Sequence, residues 1–92
     1  MDKKFETLTD LYKDFGAFRL AFKYLHKAHS DFMRNEYSRC YAGWNDEAVQ
    51  FAEGVLYTAL CLEYIDGCHY EYFVDVLSRY KSYHSKAYVM RV

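Results

Sequence analysis

Apolar positions recur from Leu8 as Leu8, Leu11, Phe15, Phe18, Phe22, Leu25, His29 and Phe32, with His29 standing in an apolar slot. The steps alternate between three and four residues, which is the signature of one face of an α-helix. Thr7 or Thr9 can cap its start, with Asp10 in the first turn. The stripe continues one residue out of step as Met33, Tyr37, Cys40 and Tyr41, a slip that 3.6 residues per turn produces against a repeat of seven. Gly43 supplies a stop and Asn45 a fresh cap, while Ser30-Asp31 offers an earlier break. The first helix is therefore expected over about 8–42, continuous or broken near 30.

A second helix is expected over about 46–65, where Ala48, Ala52, Val55, Leu56, Ala59 and Leu62 share a face. Asp66-Gly67 then lies between two apolar runs, and reads either as a β-hairpin turn or as a helix stop. The regular spacing before it favours the stop, with Gly67 as C-cap. Tyr70, Phe73, Leu77, Tyr80, His84, Ala87 and Arg91 keep helical spacing and predict a third helix over about 68–91. The alternation Tyr70, Tyr72, Val74, Val76 is the case for a hairpin, and it ends at Leu77.

The fold class expected is all-α: one domain over 1–92, an antiparallel three-helix bundle with a long first helix. That first helix would be roughly 50 Å long at 1.5 Å per residue, leaving Leu11, Phe15 and Phe18 at a projecting end. Ala17, Ala21, Tyr24 and Ala28 give it a second apolar side, and a helix apolar on two sides is sandwiched or pairs with another copy. A homodimer is the expectation.

Composition changes this picture in two respects. The 92 residues contain no proline, which suits long helices, and eleven tyrosines, whose hydroxyls favour rims and interfaces over a dry core. Cys40, Cys61 and Cys68 have no zinc-ribbon spacing and read as reduced core or boundary thiols. The opening MDKKFETLTD lacks the apolar run of a signal peptide, and VLYTALCL is short for a membrane span. A cytoplasmic protein without membrane contact is expected.

The net charge of −1 conceals segregation. No Lys or Arg lies between Arg39 and Arg79, an interval that holds Asp46, Glu47, Glu53, Glu63, Asp66, Glu71 and Asp75. On the second helix Asp46, Gln50, Glu53, Tyr57 and Tyr64 form an acidic, tyrosine-bearing strip, with Trp44 beside it. Such a strip suits a protein partner with a basic surface, and equally a solvated face. Tyr12, Arg19, Lys23, Lys27 and Arg34 form a basic, aromatic strip on the first helix, the combination that holds phosphates and stacks bases. Four cations on a chain without net positive charge make nucleic acid the weaker of the two partners.

Polar residues in apolar slots are the places for chemistry. His29, Glu36, Glu63 and His84 project onto core faces, Glu36 level with His84, and His26, Glu63 and His69 towards the other end. Carboxylates and imidazoles converging in a bundle resemble metal sites in residue type, but the Glu-x-x-His pair of such sites does not occur. No metal, cofactor or catalytic residue is assigned. Phosphate-binding loops and nucleophile elbows are also missing.

The reading is a small non-catalytic helical protein that occupies a partner's surface. In size and surface character it is similar to phage-encoded inhibitors of bacterial defence, such as anti-CRISPR and anti-restriction proteins, an analogy that rests on no motif. It implies an acidic strip competing with nucleic acid for a basic groove. A nucleotide or nucleic-acid binder using the basic strip is the second reading, and a structural homo-oligomer the third.

Overall fold

The computed structural model describes residues 4–84. The described residues hold four helices: α1 (Leu8–Asp14), α2 (Gly16–Arg34), α3 (Arg39–Cys61) and α4 (Gly67–Ser78). A helical turn at 82–84 follows α4, and the described residues contain no strand. The all-helical class expected from the spacing is present, and the hairpin reading of 63–76 is not. Ala87 and Arg91, and the last part of the expected third helix, lie outside the described residues.

The boundaries differ from those expected, for physical reasons. The expected first helix is three pieces. Phe15 is extended (φ −117°, ψ 99°) and separates α1 from α2, its N–H still donating to the Leu11 carbonyl. Arg19 reaches back and donates to the Tyr12 and Lys13 carbonyls at 3.0 and 2.7 Å, satisfying acceptors that the end of α1 leaves free. Thr7 caps α1 through the Asp10 N–H at 3.0 Å. Residue 30 is not a break. Asp31 instead accepts from Lys27 and Arg34 within α2, and these bonds, Lys27 first, hold its carboxyl below the usual carboxylate range.

The turns on either side of α3 are marked by acidic residues rather than glycine. Glu36 and Glu63 are left-handed at φ 56° and 65°, and Tyr37, next to Glu36, is left-handed too at 63°. Around each, two N–H groups return to the preceding helix: Glu36 to Met33 and Tyr37 to Phe32, then Glu63 to Leu60 and Tyr64 to Ala59. These are Schellman closures, which ordinarily place glycine at the left-handed position. Tyr37 packs edge-on against Phe32, with ring centroids 5.1 Å apart, completing the first. Gly43 therefore stops nothing and lies inside α3. Gly67 is not a C-cap but the first residue of α4, capped by Asp66, which accepts from the His69 N–H at 2.8 Å. That bond, reinforced by the His69 ring, lowers the Asp66 carboxyl below its ordinary range.

α2 and α3 pack as an antiparallel pair along a seam of small residues. Ala21, Ala28, Ala48, Ala52 and Ala59 are fully buried, beside Phe18, Leu25, Val49 and Leu56. Small side chains at the crossing allow close approach of the two backbones. The second apolar side of the expected first helix is thus partly accounted for within one chain, since α3 covers Ala21 and Ala28. Leu11 of α1, Ile65 of the turn, and Phe73 and Leu77 of α4 close the core. The N-terminal segment joins it where the Phe5 N–H donates to the Tyr64 carbonyl at 2.7 Å.

A polar clasp fastens the segment after α4 across α2 and α3. Asn45 is fully buried; its Nδ2 donates to the Tyr80 carbonyl at 2.6 Å and its Oδ1 accepts from His29 Nδ1 at 3.2 Å. Asp46 accepts from both the N–H and the hydroxyl of Ser82 at 2.7 Å. The Tyr80 ring lies 5.1 Å from His29 and 6.3 Å from Phe22, centroid to centroid. One broad side of the α2–α3 pair is therefore covered by α1, α4 and residues 79–84. No helix is long and apolar enough to cross a membrane among the described residues.

Candidate functional site

The opposite broad side of the α2–α3 pair carries large apolar residues that no other element among the described residues covers. Leu20 is 70% exposed, Phe51 52% and Tyr24 37%, and Trp44 is half-buried among them. On α3, Trp44, Glu47 and Phe51 follow one another at three and four residues, and on α2 so do Leu20, Tyr24 and Lys27. Both sets are surface stripes of their helices. The two stripes meet at the rings: Tyr24 to Trp44 at 6.3 Å, Tyr24 to Phe51 at 6.2 Å, and Tyr41 to Trp44 at 6.0 Å. Trp44 Nε1 donates to the Tyr24 hydroxyl at 2.6 Å, and the Lys27 ammonium stands 5.7 Å from the Trp44 ring centroid.

Two consequences follow for contact. The indole N–H is already satisfied, so a partner can cover Trp44 without stranding a donor. The rings hold one another in place, which reduces the side-chain ordering that association would otherwise require. Residue spacing alone places Trp44 and Tyr24 on separate surfaces and gives Leu20 and Phe51 no role. The available signal was that Leu20 and Phe51 are large apolar residues lying off the core stripes.

The acidic strip is free only in part. Asp46 is consumed by Ser82. Glu53 is mostly buried beside Lys81, whose Nζ is 3.7 Å away, and its Oε2 has no hydrogen-bond partner among the described residues. Tyr64 is packed edge-on by Phe5 and Phe15, centroids 6.1 and 5.3 Å away. Gln50, Tyr57 and Tyr64 remain exposed, Tyr57 against Tyr70. The reason is geometric: the Asp46–Glu53 side of α3 faces the segment after α4, and Trp44 lies on the other side.

The basic strip is divided as well. Arg19 caps α1, while Lys27 and Arg34 pair with Asp31. Tyr12 and Lys23 lie beside one another along a groove between α1 and α2. Of the expected polar core, only His29 is inside the fold, on Asn45. Glu36, Glu63 and His84 are exposed, because helical projection was carried past the true helix ends. No group of three or more His, Cys, Asp or Glu side chains converges as metal ligands among the described residues. Cys40, Cys61 and Cys68 are free and exposed rather than core or boundary thiols.

Comparison of the chain with protein-family models, with curated proteins and with solved structures finds no match in any of the three.

Proposed function

We propose that this is a small non-catalytic protein–protein interaction protein whose contact surface is the face formed by Leu20, Tyr24, Trp44 and Phe51. The observation that carries the reading is the exposure of Leu20 and Phe51 next to the fixed Tyr24–Trp44 pair. Contiguous exposed apolar surface marks association sites, and Trp and Tyr are the side chains most often dominant in them. Glu47, exposed between Trp44 and Phe51 on the helix surface, adds a carboxylate for a basic residue. The proposed partner surface is thus apolar at its centre and basic at one point, rather than a basic groove throughout.

Action by occupying a partner's surface is the mode of the phage-encoded inhibitors to which size and surface give the analogy, and inhibition of that kind is the role proposed. Three free thiols suit a reducing compartment, the cytoplasm. The test is affinity capture from the native cell with the unaltered chain and with Leu20→Lys/Phe51→Lys. Both positions are exposed, so the variant keeps its helicity and melting temperature. A partner held by the unaltered chain and lost by the variant supports the reading. Equal capture by both, or capture by neither, counts against it.

A further inference from the structure

A groove between α1 and α2, which adjoins the aromatic face at Lys27, combines an apolar end with a cationic one. The first lobe, about 270 Å³, is lined by Leu8, Thr9, Tyr12, Phe18 and Phe22. The second, about 330 Å³, is lined by Tyr12, Phe22, Lys23, His26 and Lys27. Tyr12 and Phe22 line both, so the lobes are adjacent. Their rings stand edge-on with centroids 6.0 Å apart, and Phe22 stacks on Phe18 at 5.8 Å. Each lobe is near the lower end of the roughly 300–1,000 Å³ range of small-molecule sites.

Charge gives the groove a direction. No Asp or Glu among the described residues lines either lobe, whereas the second has two ammonium groups and an imidazole within two helical turns. Lys27 is shared with Asp31 at 3.2 Å, but Lys23 has no carboxylate within ion-pair distance among the described residues. Arg19, the other cation of the strip, is committed to the carbonyls ending α1. Lys23 is therefore the cation placed to meet an incoming anion at the edge of an apolar lobe.

We propose that this groove binds a single-chain amphiphile with one anionic head, the head at Lys23 and His26 and the chain running past Phe22 towards Leu8 and Phe18. The groove shares Lys27 with the aromatic face, whereas Leu8, Tyr12 and Lys23 belong to the groove alone.

The experiment is amide-resolved NMR titration of the full chain with octanoate, decanoate, decyl phosphate, decyltrimethylammonium, decanol and AMP. The expected result is shifts concentrated at Leu8, Thr9, Tyr12, Lys23 and His26 with the anionic decyl probes. Decanoate against decyl phosphate tells a carboxylate head from a phosphate head. Affinity should rise about fourfold per added methylene from octanoate to decanoate. Lys23→Glu, an exposed position that leaves the fold intact, should weaken decanoate on the order of tenfold. Added salt should weaken it as well. Equal binding of the cationic or neutral decyl probe would overturn the charge reading. Tighter binding of AMP would replace the amphiphile by a nucleotide. Shifts centred on Leu20 and Phe51, or no shifts at millimolar probe, would overturn the site itself.

Discussion

Replacing Glu63 with glycine should make the protein more stable, although it removes a charged residue and adds the most flexible one. Glu63 is exposed and sits at φ 65°, closing α3 through the Tyr64-to-Ala59 and Glu63-to-Leu60 hydrogen bonds. A left-handed conformation costs an L-residue roughly 1–2 kcal/mol, which glycine does not incur. Against this, glycine gives the unfolded chain extra freedom, offsetting roughly 0.5–1 kcal/mol. The net gain is about 0.5–1 kcal/mol. A domain of this size shifts its Tm by about 4–8 °C per kcal/mol, so thermal unfolding followed by circular dichroism should move up by about 2–8 °C.

Glu63→Ala is the control. It discards the same carboxylate and keeps the backbone strain, so it should stay within about 0.5 kcal/mol of the parent. Glu36→Gly, in the turn before α3, should behave like Glu63→Gly, with the Tyr37–Phe32 contact retained. The 23 residues of α3 separate the sites by roughly 34 Å, so the two gains should add. A fall in Tm for Glu63→Gly, with Glu63→Ala unchanged, would show this wrong. The C-terminal end of α3 would then not be closed by a left-handed residue.

Three further outcomes follow from the packing. Asn45→Ala should destabilise by about 2–4 kcal/mol in urea unfolding, since it strands the half-buried Tyr80 carbonyl and His29 donor and leaves a void. Ala52→Leu should destabilise by about 1–3 kcal/mol through overpacking of the α2–α3 seam, whereas the same change at exposed Ala17 should not. The pH dependence at Asp66 has a definite sign: its folded carboxyl is held below the ordinary range, so its stabilisation is full above the unfolded pKa. That contribution is lost as pH falls through the depressed folded value. Acid unfolding of Asp66→Asn should therefore be flatter in that window than that of the parent.

How much of the fold was legible in the sequence depended on how local each cause is. The 3–4 spacing of Leu8 to Phe32 and of Ala48 to Leu62 is local and pointed to the all-helical class. The break at Phe15 was hidden because one extended residue leaves the spacing on both sides unchanged. The turns at Glu36 and Glu63 were hidden because the expected glycine is not there, while Gly43 and Gly67 attracted the stops they do not make. Asn45 looked like a cap, since its partner Tyr80 lies 35 residues away and no local pattern connects them. The charge map failed at Asp46 and Glu53 for the same reason: Ser82 and Lys81 come from a distant segment. The aromatic face required knowing how α2 and α3 meet, which sets Tyr24 against Trp44.

If the Leu20–Phe51 face is the contact surface, site-specific photocrosslinking in the native cell will trap the partner there, whatever its identity. A benzophenone side chain would be placed at Leu20 or Phe51, and at the comparably exposed Tyr72 or Tyr83 for comparison. The expected result is a discrete adduct from positions 20 and 51, at twice the chain mass if the partner is a second copy, and none from 72 and 83. A discrete adduct from 72 or 83 with none from 20 and 51 would place the contact elsewhere and end the proposal.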